Sequence, residues 1–198
     1  MTFKYDEYAK KHLCERDEKL GRYIMELGNI ERETTPDLFE ALTNSIISQQ
    51  ISGKAALSIY NKLKFRSEIT PVKIAELPEE VMRECGISQR KISYIKTAAN
   101  SILTGELVPE KLKNMCDEEV IMKLEQLPGI GRWSAEMILI FSLCREDVLS
   151  YGDFGIRRGI MKLHSLEELT KKEFMRFREL YSPYGSIASF YLWEIASR

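Results

Sequence analysis

No run of this 198-residue chain is apolar for the roughly 18–20 residues that a helix needs to cross a bilayer, so no transmembrane helix is expected. Cysteine is scarce: there are four, at positions 14, 85, 116 and 144, with no Cys-x-x-Cys and no short-spaced pair. That spacing argues against zinc and iron–sulfur sites, and it favours reduced thiols in a cytoplasmic protein over a disulfide framework. Sustained alternation of apolar and polar residues is missing, which points away from β architecture, and there is no internal repeat. The first residues, MTFKYDEYAKKHLCERDEK, are charged throughout and lack the apolar core of a secretory signal. Neither charge dominates either, since 29 Lys and Arg against 30 Asp and Glu leave a formal net charge of −1. Nucleic-acid binders often carry a basic excess. Any such surface here must therefore be a local concentration of positive charge, helped by backbone N–H groups.

What is present is helical periodicity in a chain long enough for one domain or two small lobes. Residues 5–28 read as one charged amphipathic helix burying Tyr8, Leu13, Leu20, Ile24 and Leu27. Thr35-Pro36-Asp37 has the chemistry of a helix start: hydroxyl, proline, then an acid at the positive end of the dipole. The helix that follows turns Leu38, Phe39, Leu42, Ile46 and Ile47 inward and ends near SQQIS. Ser165 with Glu168 and Thr170 with Glu173 both fit capping boxes, and Ser182-Pro183 reads as the start of the last helix. His12 and His164 have no metal-ligand spacing and are expected at the surface. The sum is an all-α chain of about ten short helices.

Three motifs carry chemistry. In Leu127-Pro128-Gly129-Ile130-Gly131 the proline ends a helix, and the glycines permit left-handed torsions and close backbone approach. Amides at the start of the next helix can then grip a phosphate without reading base sequence. A plain corner between helices would use the same residues. Asp153, in Tyr151-Gly152-Asp153-Phe154-Gly155, lies 20 residues past Trp133. Alone it reads as a solvated loop acid. Beside a phosphate-gripping hairpin it could face a deoxyribose whose glycosidic bond is breaking, stabilising the oxocarbenium-like transition state and orienting water. No partner carboxylate is evident, and one acid suffices when the leaving base is already cationic, as an alkylated purine is. Trp133 and Trp193 offer faces on which a flipped base can stack, although on spacing alone each fits a core equally well. Ser48-Gln49-Gln50-Ile51-Ser52 joins two helices, where it is either a polar turn or a wedge that fills the gap left by a flipped nucleotide.

With these residues the chain resembles the helix-hairpin-helix DNA glycosylases, specifically the 3-methyladenine DNA glycosylase II branch. The resemblance runs from about Phe39 to Trp193 through FEALTNSIISQQIS, ISQRKISYIKTAANSI, LPGIGRWSAEMIL, DVLSYGDFGIRRG and YSPYGSIASFYLW. It implies a two-lobed all-α fold with the active site in the cleft between the lobes. Residues 36–145 would form the lobe carrying the hairpin, and residues 1–35 with 146–198 the other. Asp153 matches the family's catalytic acid, and Trp133 and Trp193 its pocket aromatics. Met137 stands at a pocket position that is usually aromatic in the branch. Gln50 falls at the gap-filling wedge, and Gly129 and Gly131 at the DNA-gripping hairpin. The backbone carbonyls of Glu125, Leu127 and Ile130 match those that hold a monovalent cation, Na+ or K+. Members that also cleave the strand place a Schiff-base lysine where this chain has Trp133, so a monofunctional enzyme is expected. The cysteine cluster of the iron–sulfur branch is missing, and no other cofactor is expected.

The resulting expectation is a monomeric glycosylase that removes alkylated purines, 3-methyladenine first, from damaged double-stranded DNA and leaves an abasic site. It would be cytoplasmic and associated with the nucleoid through DNA. Two rivals stay open on the sequence: a glycosylase for an oxidised, deaminated or mismatched base, and a non-catalytic hairpin module that binds DNA.

Overall fold

In the computed structural model, which describes residues 1–198, Asp17 divides what the sequence pattern presents as a single first helix. Helix α1 (Glu7–Arg16) stops there and α2 (Glu18–Leu27) begins. The Asp17 carboxylate accepts the amides of Lys19 and Leu20 at 3.0 and 3.2 Å, capping α2. Its other oxygen takes the Tyr181 hydroxyl at 2.7 Å and His164 Nε2 at 3.0 Å. A carboxylate that satisfies four donors from three parts of the chain outweighs the continuity of one helix. His164 is consequently a half-buried partner of Asp17, and His12 donates to the carbonyl of Ser182 at 2.9 Å; neither is the free surface residue expected. Because α1 is short and buries Ala9 and Leu13, four residues apart, Tyr8 falls off that face and is 76 % exposed.

Asp37, not Thr35, caps α3 (Leu38–Ser48), accepting the Glu40 amide at 2.7 Å. Thr35 lies ahead of the helix with its own amide bonded to the carbonyl of Phe141. The expected apolar set of α3 is buried throughout. There follow α4 (Gly53–Arg66), α5 (Pro71–Glu76), α6 (Glu79–Glu84), α7 (Gln89–Leu103), α8 (Pro109–Leu112), α9 (Asp117–Leu124) and α10 (Arg132–Phe141). Ser52 and Thr70 cap α4 and α5 through their side chains. Helix α3 packs against α4, α7 and α10, and α9 pairs with α10 across the hairpin. Ile46, Ile92, Ile95, Leu124 and Leu139 are fully buried.

The last three helices are α11 (Phe154–His164), α12 (Lys171–Tyr181) and α13 (Gly185–Ser197), giving thirteen in all. Of the two overlapping capping boxes only Thr170–Glu173 forms; Ser165 instead ends α11 with a left-handed φ of 56°. Ser182 ends α12, so α13 starts at Gly185, whose amide bonds Asp147 Oδ1 at 3.1 Å. One isolated antiparallel bridge, Thr2 with Glu33, is the only strand-like pairing.

The thirteen helices fall into two units. Thr35–Leu143 forms one, and Met1–Thr34 with Cys144–Arg198 the other. In the second unit α11 lies along α13, and the core is built from Leu13, Leu20, Ile156, Phe174, Phe190 and Tyr191. No helix is long and apolar enough to cross a membrane.

Candidate active site

The hairpin between α9 and α10 turns on one glycine. Helix α9 has already ended when Pro128 arrives, and the Ile130 amide closes the turn on the Leu127 carbonyl at 3.1 Å. Gly129 has φ +86°, a torsion an L side chain avoids, and a Cβ there would lie 2.3 Å from the Tyr94 ring. Both the torsion and the close approach require glycine at this position. Gly131 differs from the expectation: its φ of −103° is ordinary extended backbone with open space around it. It serves as N-cap of α10 and brings no side chain to cap the helix. Arg132, the cation nearest this end, is committed elsewhere: it forms a bidentate pair with Glu118, and its Nε reaches Glu136 at 3.2 Å.

Trp133, the second residue of α10, is 45 % exposed, and Met137 follows one turn later on the same face, half-buried. Exposure of that size removes Trp133 from the core.

The SQQIS corner divides its two glutamines. Gln49 is half-buried, and its Nε2 donates to the Gly129 carbonyl at 2.6 Å. Gln50 is exposed with φ 58°, and Ile51 beside it is also exposed. Lys91 of α7 donates to the carbonyls of Ile47 and Gln49 at 2.7 and 2.8 Å; burial lowers its pKa from the usual lysine value.

In the other unit Asp153 is the N-cap of α11, with only 8 % of its surface exposed. Its Oδ1 accepts the Ile156 amide at 2.8 Å and the Trp193 indole N–H at 2.9 Å. Trp193, half-buried on α13, stacks on Phe190 with centroids 6.1 Å apart and planes inclined by 27°. The expected acid and one expected aromatic therefore meet, not as separate pocket walls but as donor and acceptor. The contact depends on Gly155: a Cβ there would lie 2.7 Å from Trp193 Cδ1 and 3.2 Å from Asp153 Oδ1.

The model of the HhH-GPD superfamily, base excision DNA repair proteins, matches residues 43–183 and so includes the hairpin, the SQQIS corner and Asp153. The chain belongs to this superfamily. Within the HhH-GPD proteins it is 37 % identical over 196 residues to DNA-3-methyladenine glycosylase 1 of Schizosaccharomyces pombe, covering 94 % of this chain and 86 % of that protein. Among solved HhH-GPD structures it is similar to the 3-methyladenine DNA glycosylase of Schizosaccharomyces pombe in complex with abasic DNA. That match has a TM-score of 0.84 at 36 % identity, covering 94 % of this chain and 95 % of the other. The DNA-3-methyladenine glycosidase of Bacillus halodurans matches with a TM-score of 0.86 at 34 % identity, over 99 % and 92 % of the two chains. The sequence pattern did not single out Lys91 or Gly155, and it did not foresee that Gln49 bonds the hairpin. Only Gly155 left a signal: it and Gly159 are spaced four apart on one helix, where close packing against a neighbour needs small residues.

Proposed function

We infer that this protein hydrolyses the N-glycosidic bond of alkylated purines, 3-methyladenine first among them, in double-stranded DNA and leaves an intact abasic site. The observation that carries this reading is Asp153: a buried carboxylate with two N–H donors fixing one oxygen, in a chain whose relatives over nearly its whole length are named 3-methyladenine glycosylases. As the base departs, positive charge develops on the sugar, and a fixed anion stabilises it and orients the attacking water. An alkylated purine already carries a positive charge and leaves without a strong general acid. Trp133, with Met137 on the same face, supplies the surface on which such a cation stacks. Trp133 also stands where a Schiff-base lysine would be needed for strand cleavage, so the reaction ends at the abasic site.

The α10 amides would hold a backbone phosphate, and exposed Gln50 with Ile51 would fill the vacated stack. The Glu125 and Ile130 carbonyls accept no backbone bond of the turn, and Leu127 has a second lone pair, so three neutral oxygens suit Na+ or K+. A cation there would add positive charge where the phosphate sits. The protein would act as a monomer on chromosomal DNA, in the cytoplasm at the nucleoid.

A panel of duplexes carrying alkylated, oxidised, deaminated or mismatched bases tests this. Cuts should appear only after alkali and only at alkylated purines. Cuts confined to another lesion would transfer the activity to that base, cuts without alkali would show a lyase, and binding without any base loss would leave a DNA-binding module. Trp193→Phe, which keeps one aromatic ring but loses the indole N–H, should slow base release about tenfold to a hundredfold, the worth of one hydrogen bond to a charged group. Single-turnover rates with unchanged duplex affinity would show it; a wild-type rate would mean that the contact is idle.

A further inference from the structure

The corner at the end of α3 holds a residue in a strained torsion beside an open cavity. Gln50 takes a left-handed φ of 58° although it is not glycine, and such torsions persist only where the surroundings enforce them. An open cavity of about 260 Å³ adjoins the corner, lined by Ile47, Gln50, Ile51, Ile59, Ile87 and Lys91 among others, so packing around Gln50 is incomplete. Two hydrogen-bonding groups enforce the torsion. The Lys91 ammonium gathers the carbonyls of Ile47 and Gln49 at the negative end of α3, where helical carbonyls lack partners. The Gln49 side chain then ties the corner to the Gly129 carbonyl, inside the turn whose torsion and tyrosine contact fix the hairpin. Corner and hairpin thus form one piece, although 80 residues separate Gln49 from Gly129.

The geometry points to Gln49 and Lys91 as positioning residues that couple filling of the base stack to the grip on the backbone. Lys91 sets the torsion that presents Gln50 and Ile51, and Gln49 sets the distance from that tip to the phosphate-holding amides. The inference rests on the glycosylase reading for its purpose, since a wedge is useful only where a base is flipped. Neither residue touches DNA in this account; both act through their neighbours. A loosened tip would still let the hairpin bind undamaged duplex, because phosphate contacts carry that binding.

The test uses a duplex with a reduced abasic-site analogue and 2-aminopurine opposite it, whose fluorescence reports stack filling without any base release. Gln49→Ala, Lys91→Met and Lys91→Arg are compared with the wild type. Gln49→Ala and Lys91→Met should lose most of the fluorescence change and bind the abasic duplex about tenfold more weakly, with affinity for undamaged duplex unchanged. Lys91→Arg, which can still donate to both carbonyls, should recover most of the signal. Wild-type fluorescence in Gln49→Ala or Lys91→Met would overturn the inference, as would equal weakening on damaged and undamaged duplex. Should Lys91→Met fail to fold, Gln49→Ala decides alone, since truncating a half-buried glutamine leaves α3 and its Lys91 cap in place. If the wild-type protein released no base from any lesion, the glycosylase reading would fail while the fluorescence comparison still reported on the coupling.

Discussion

Asp153→Asn should lower base release from an alkylated duplex by about a thousandfold or more while leaving the fold and the affinity for an abasic-site duplex nearly unchanged. The magnitude follows from the charge alone. An anion about 4 Å from a developing unit positive charge, at the effective dielectric of about 20 that suits a protein site, contributes roughly 4 kcal/mol, and each 1.36 kcal/mol is a factor of ten. The amide removes that charge but keeps an oxygen where Oδ1 stands, still able to accept from the Ile156 amide and the Trp193 indole. Asparagine is about as good a helix cap as aspartate, so α11 keeps its start. Asp153→Ala would be a poorer choice, because it also removes the cap and mixes lost stability with lost chemistry. Single-turnover release, read as alkali-labile sites, gives the rate, and thermal melting checks the fold. Release by Asp153→Asn at the wild-type rate would end the proposed role of the acid and leave the hairpin as a binding device alone.

What the sequence could reveal is set by distance along the chain. The buried face of α3 was readable because Leu38, Phe39, Leu42, Ile46 and Ile47 repeat at helical spacing, and all five are buried. The hairpin was readable because Pro128 and Gly129 act on their own backbone. The break at Asp17 was not: its cause lies in Tyr181 and His164, about 150 residues on, and no local pattern announces them. The same holds within the candidate site. Trp193 was visible as an aromatic on the last helix, but its bond to Asp153 spans 40 residues and exists only once α11 lies on α13. Adjacent glutamines at 49 and 50 look alike in sequence; only folding turns the first into the hairpin and leaves the second exposed.

Gly159→Ala should cost substantial stability through a single methyl group, and it should damage the site as well. A Cβ at this position would lie 2.3 Å from the Leu192 carbonyl oxygen and 2.8 Å from its carbonyl carbon. Those atoms belong to the α13 backbone and cannot rotate aside as a side chain would. Alanine favours a helix over glycine by about 1 kcal/mol, and overpacking at this closeness costs about 3 kcal/mol or more, so a net loss of about 2 kcal/mol remains. For a chain of this size that corresponds to a melting temperature lower by about 4–8 °C. Because α11 carries Asp153 at its start and α13 carries Trp193, forcing the helices apart also lengthens the bond between them, and base release should fall with stability. Gly155→Ala separates the two effects. Its methyl would meet Trp193 Cδ1 at 2.7 Å and Asp153 Oδ1 at 3.2 Å, both side-chain atoms that can shift. Melting should then change little while the rate falls, because the strain is relieved at the acid itself. Equal losses of stability in the two variants would show that the Asp153–Trp193 pair is simply part of the packing, and that its geometry is not tuned for the reaction.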